Sequence, residues 1–175
     1  MKTKKILLPL ATLVAAGAIA VGSGATFTST SANTISSVTS GSLSQSNSKA
    51  DAAIFSLTNI KPGDVVNGSL TIKNTGSLPA TFSLTETAST NGFTGANLVL
   101  DIKNTTTGTT VWTGTFGDLV NGTKNDLGLV DAGASNVYTF SAKLAASTPN
   151  ADQGKTASAA FQWDSIQADA TTTNQ

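Results

Sequence analysis

Between residues 54 and 84, large apolar side chains alternate with small polar ones, and two turn signals cut the run into three strand-length pieces. Phe55 and Leu57 belong to the first piece, Leu70 and Ile72 to the second, Phe82 and Leu84 to the third. A period near two puts one face of a sheet in the core and the other in water. Lys61-Pro62-Gly63-Asp64 divides the first two pieces, with Pro62 presetting its φ and Gly63 free to take a positive one. Asn74-Thr75-Gly76-Ser77 divides the next two. The pattern builds a scaffold and contains no reactive constellation.

The rest of the chain repeats this grammar. Residues 38–44 read as a first framework strand with Gly41 as a bulge, followed by a polar break at 45–51. A loop is expected around 88–96, then strands at 97–103 and 109–116, where either Val111 or Trp112 faces inward according to register. Residues 117–136 read as loop, 137–144 and 156–166 as the closing strands. No stretch from residue 26 onward keeps a helical apolar stripe. Seven to nine short strands (roughly) with turns between them predict an all-β fold, an antiparallel β-sandwich of jelly-roll or Greek-key type.

The N-terminus carries a processing signature. Lys2, Lys4 and Lys5 precede an apolar run, and Ser23 and Ala25 supply small residues at −3 and −1 of a signal-peptidase site. The run is shorter than the ~20 residues a spanning helix needs, and Pro9 interrupts it. A retained N-terminal anchor is the competing reading. The expected organisation is a signal peptide at 1–25, a leading segment and first strand at 26–49, a sandwich core at 50–168 and a polar tail at 169–175.

Charge narrows the partners. Only 11% of the 175 residues are charged, and there is no Arg, no His and no Cys. Beyond residue 25, seven Lys face ten acidic residues, a net charge of about −3. Without Arg forks or a basic surface, nucleic-acid binding is excluded as an expectation. A neutral surface of Thr, Ser, Asn and Gly lacks strong self-repulsion, which permits copies of the chain to associate.

Four segments carry a family resemblance. They are the signal running through Gly22-Ser23-Gly24-Ala25 into Thr26-Phe27, the segment Thr39-Ser40-Gly41-Ser42-Leu43, the strand–KPGD turn–strand–NTGSL turn passage between Phe55 and Leu78, and the closing Phe161-Gln162-Trp163. In this order they resemble the TasA/camelysin family of secreted bacterial matrix proteins, which related archaeal bundling pilins join. The resemblance implies a secreted jelly-roll subunit that polymerises head to tail into biofilm-matrix fibres or pili by donor-strand complementation. It also implies that Thr26, Phe27, Thr28, Ser29, Thr30 and Ser31 form the strand lent to a neighbour, with Phe27 as anchor. Lys61, Pro62, Gly63 and Asp64 are the family's turn motif. The expected partner is a second copy of the chain, with other matrix proteins or polysaccharide beyond it, and the membrane is met only through the uncleaved signal. No cofactor is expected.

Other readings stand beside this one. Residues 26–31 could be a leader without a fixed partner. The whole chain could be a monomeric adhesive or glycan-binding module with Trp112, Tyr138, Phe140 and Trp163 on its face, or an accessory protein that anchors a fibre. The camelysin name carries a metalloprotease label, but zinc proteases use imidazoles in H-E-x-x-H or a related array, and no His exists here. Serine chemistry lacks its base for the same reason. The expectation is therefore no enzyme, no catalytic residue and no metal site. Asp118, Asp126 and Asp131 read as turn formers, and Glu86 with Lys73 is the acid and amine an isopeptide cross-link would need if their strands were neighbours. Asn67, Asn104 and Asn121 head formal glycosylation sequons.

Overall fold

The computed structural model describes residues 40–55 and 60–169. Eight strands follow one another: β1 (Gln45–Asn47), β2 (Val65–Asn74), β3 (Ala80–Asn91), β4 (Leu98–Asn104), β5 (Thr109–Thr115), β6 (Lys124–Val130), β7 (Ser135–Leu144) and β8 (Ala157–Gln167). A single 3-10 turn, Asn150–Asp152, precedes β8. The strands form two antiparallel sheets, one in the order β1-β2-β7-β4-β5 and the other β6-β3-β8.

The alternation that predicts the strands also fills the space between the sheets. Leu70 and Ile72 of β2, Leu98, Leu100 and Ile102 of β4, and Tyr138, Phe140 and Leu144 of β7 point inward from one sheet. Phe82 and Leu84 of β3, Val130 of β6 and Trp163 of β8 meet them from the other. Each such side chain taken fully out of water contributes about 1.5–3 kcal/mol before conformational entropy is set against it. Tyr138 and Trp163 approach to 4.8 Å between ring centroids, and Phe140 and Phe161 to 5.0 Å, so the aromatic residues close the core across the two sheets. Three of the four aromatics weighed as a glycan face are therefore interior packing, and the fourth, Trp112, is half-buried on β5.

The topology is a nest of antiparallel pairs. β4 pairs with β5, β3 with β6, and β2 with β7. A complete eight-stranded jelly roll closes that nest with its first strand against its last. Here β1 pairs with β2 instead, Gln45 opposite Asn74 and Asn47 opposite Ile72.

Several expectations shift. The strand expected at 38–44 is not a ladder at residues 40–44, and the ladder starts at Gln45, inside the expected polar break. Residues 42 and 44 are used differently: the Ser42 carbonyl accepts from the Ser77 N–H at 3.0 Å, and the Ser44 carbonyl from the N–H groups of Thr75 and Gly76. Gly76 is required there, because a Cβ would collide with the Ser42 carbonyl. Gly41 is no bulge; it lies under the Leu78 side chain. Ile54 and Phe55 belong to no strand, and Leu57 lies outside the described residues. β3 runs on to Asn91, through part of the loop expected at 88–96.

The expected loop at 117–136 holds β6, which the alternation test misses because of a bulge. Phe82 pairs with Gly128 and Ser83 with Asp126, so Leu127 is the extra residue and Gly128 takes φ +85°. A bulge breaks the period of two and lets Leu127 reach the core from an otherwise polar segment. The same device settles the Val111/Trp112 alternative. The β4–β5 register slips between Ile102 and Lys103, and both side chains pack on the core.

Candidate functional site: the open edge of β8

β8 pairs with β3 along its whole length, from Ala157 opposite Asn91 to Gln167 opposite Ala80. Backbone groups of an antiparallel strand point alternately to its two sides. The Ala160 carbonyl faces β3, where it accepts from the Thr87 hydroxyl at 3.2 Å, and the Ala168 N–H beyond the strand reaches the Pro79 carbonyl. The odd-numbered residues 157–167 therefore turn their N–H and C=O groups away from β3. Among the described residues no strand pairs with that edge. The Trp163 carbonyl accepts one hydrogen bond there, from the Gln45 side chain at 2.8 Å.

The same odd-numbered residues carry the inward side chains Ala157, Ala159, Phe161 and Trp163. Only Trp163 is fully covered; the other three are partly exposed on the core side of the sheet. Opposite them stands the segment at 47–54, and a cleft of about 370 Å³ lies between, lined by Ile54, Leu70, Phe161 and Trp163 together with the polar Asn47, Lys49 and Asp51. Open backbone groups along one wall, and a cleft that mixes apolar and polar side chains with a small-residue end, suit an added β-strand, whose main chain extends the ladder while alternate side chains enter the cleft.

The far wall is held in place by short contacts. The Ser48 N–H donates to the Thr71 carbonyl at 3.0 Å, and the Ser48 hydroxyl accepts from the Thr71 N–H at 2.8 Å. Asn47 Oδ1 accepts from the Lys49 N–H, and Lys49 Nζ reaches the carbonyls of Ala53 and Ile54. Gly68 of β2 lets the Ile54 carbonyl lie directly on the strand, where any Cβ would clash. This pairing of Gly68 with Ile54 carries no local sequence signal.

The residues singled out from the sequence fall in three places. Ser23, Ala25 and residues 26–31 lie outside the described residues. Lys61, Pro62, Gly63 and Asp64 form a hydrogen-bonded type II turn, with the Asp64 N–H on the Lys61 carbonyl, Gly63 at φ +92°, and Asp64 Oδ2 accepting from the Lys61 N–H at 3.0 Å. Gly63 and Asp64 also bond the backbone of Leu144, so the motif ties the start of β2 to the end of β7 and does not line the cleft. Asp126 caps the Gly128 N–H at 2.8 Å, and Asp118 and Asp131 occupy turns. Lys73 is exposed on β2 while Glu86 is buried on β3 in the other sheet, so no isopeptide pair forms. Asn104 is buried and caps the N–H groups of Thr106 and Thr107; Asn67 and Asn121 are exposed.

The second turn motif is built around Asn74. Its Nδ2 donates to the Leu78 carbonyl at 2.8 Å and the Val130 carbonyl at 3.0 Å, and its Oδ1 accepts from the Gly76 N–H. Asp152 does similar work beyond β7, accepting from the Thr94 N–H and hydroxyl and from Asn97 Nδ2. The Thr94 hydrogen bond, with Asn97 and Lys155 adding to it, holds the Asp152 carboxyl below the usual range despite the opposing effect of burial.

The family model of camelysin metallo-endopeptidases matches residues 2–101, more than half of the chain. The chain belongs to the TasA/camelysin family. The match takes in the N-terminal signature, both turn motifs, β1 to β3 and the first four residues of β4, and the aromatic strand β8 lies beyond it. Among curated proteins no match is found. Family members are typically extracellular or cell-surface proteins, and the TasA-like ones are structural. The protease label of the camelysin family implies a metal, and the donor set of this chain does not fit one. It offers neither imidazole nor thiolate, and among the described residues no three acidic side chains gather.

Proposed function

We propose that this camelysin-family chain is a secreted, non-enzymatic structural subunit that polymerises into extracellular matrix fibres by strand exchange. The observation that carries the reading is the outer edge of β8, which no strand among the described residues pairs, beside a cleft lined in part by Ile54, Leu70, Phe161 and Trp163, at the position where the nest of strand pairs lacks its outermost member. The donor is the segment at 26–31 of a second copy, with Phe27, Ser29 and Ser31 facing the cleft and Thr26, Thr28 and Thr30 facing outward. Cleavage after Ala25 frees that segment, so assembly follows export. A contact in which one copy's leading strand enters another copy's cleft is heterologous and does not close on itself, which produces filaments.

A glycan-binding module is the weaker reading, since Tyr138, Phe140 and Trp163 are spent on the interior. The test is removal of residues 26–31 from the chain that begins at Thr26. The shortened protein should stay folded and monomeric by analytical ultracentrifugation, with filaments absent by electron microscopy. Filaments of normal length from the shortened chain would refute the proposal.

A further inference from the structure

Glu86 is the only glutamate in the chain, and its residue has no exposed surface. Neither carboxyl oxygen makes a geometrically sound hydrogen bond among the described residues; the nearby Ser89 hydroxyl donates to the Gly117 carbonyl at 3.3 Å, and the Thr85 hydroxyl is likewise unpartnered. The position is a junction. Glu86 sits opposite Phe161 of β8, directly before the bulge at Thr87, and its carbonyl accepts the Gly122 N–H at 2.9 Å from the loop that leads into β6. An ionised carboxylate buried without partners costs several kcal/mol, whereas the neutral acid costs far less.

Among the described residues no charge of opposite sign compensates it. On the loop after β5 the nearby group is Asp118, of the same sign. On β6, Lys124 lies opposite Thr85 and is engaged with Asp164 at 3.4 Å. On β8 the flanking residues are Ala160, Phe161 and Gln162, and on β3 itself the Ser89 hydroxyl is the nearby polar group. The inward side chains of the facing sheet, Leu98, Leu100 and Phe140 among them, are apolar.

We propose that Glu86 is a proton-operated latch: the folded sandwich holds it as a neutral acid, and loss of the proton loosens the junction of the β3 bulge, the first half of β8 and the loop at 117–123. Burial is the main cause raising its pKa above the ordinary glutamate value, with Asp118 adding to it and Ser89 offsetting part. The sign follows from proton linkage. Between the unfolded value and the raised folded one, the native state binds more protons, so stability falls as pH rises through that window and then levels off.

The test uses the single-glutamate composition. Glutamate labelled with ¹³C at the side-chain carboxyl gives one signal for the mature chain, and its titration midpoint should lie above the ordinary glutamate range. Asp118→Asn should lower that midpoint. The thermal midpoint of the unaltered chain should fall relative to Glu86→Gln by several degrees as the pH rises above about 4.5. Over the same window, amide exchange at 157–161 and 117–123 should quicken in the unaltered chain only. A midpoint within the ordinary range would overturn the proposal, as would parallel pH profiles for the two proteins. A carboxyl signal that shifts at neutral pH on adding Ca²⁺ would overturn it too, because an ionised, cation-bound Glu86 would then be the native form.

Discussion

Ala159→Pro should leave the sandwich folded and stop it lengthening. The Ala159 N–H belongs to the set that points away from β3, so proline there removes no ladder bond within the subunit, and edge positions tolerate it. It does remove a donor from the edge an incoming strand would use and leaves that strand's carbonyl unpaired in a buried cleft. An unsatisfied buried group costs about 1–3 kcal/mol, which weakens strand capture by roughly 10- to 100-fold. Ala160→Pro is the paired control. Its N–H faces β3, so proline there removes a ladder bond and leaves its acceptor unmet, at about 1–3 kcal/mol. For a domain of this size that lowers the melting midpoint by roughly 2–12 °C. Pelleting assays and thermal unfolding of the two variants read these effects separately. Ala159→Pro protein that assembles normally would remove β8 as the acceptor.

Asn74→Ala carries the largest expected loss of fold stability. The substitution strands the carbonyls of Leu78 and Val130 and the Gly76 N–H at a site with no exposed surface. Water entering the vacated space recovers only part of these three bonds, so the expected cost is about 2–4 kcal/mol and the melting midpoint falls by roughly 5–15 °C. The damage should spread. Asn74 also pairs backbone to backbone with Ala134 and Gly133, and the Ser42 and Ser44 carbonyls rest on the turn it organises. Urea unfolding with an unchanged m-value checks the number, and a loss below about 1 kcal/mol would show that the hub is dispensable.

These two positions mark what residues reveal and what they do not. Asn74 sits in a turn motif visible in the sequence, yet its burial depends on Val130, 56 residues away, and on the chain at 42–44. β2, β4, β7 and β8 were legible because their inward side chains alternate without interruption. β6 was not, since Leu127 is an inserted residue and Gly128 a left-handed one in a segment otherwise composed like a loop. The β8 segment read correctly as a strand. That it stands at an edge, with no strand among the described residues on its odd-numbered backbone groups, is a property of strand order, which local pattern does not encode. The role of the leading segment, which lies outside the described residues, rests on resemblance alone, because a single Phe among Thr and Ser makes no periodic signal.

Whether one copy's first residues complete another copy's sheet can be read by photo-cross-linking. Chains starting at Thr26 with benzoylphenylalanine in place of Phe27 are mixed with ¹⁵N-labelled chains of native sequence, allowed to assemble, and irradiated. The account predicts mixed-isotope cross-linked peptides joining position 27 to residues 157–163 of a different chain. Links from position 27 to β8 of the same chain, in protein that never forms threads, would contradict it.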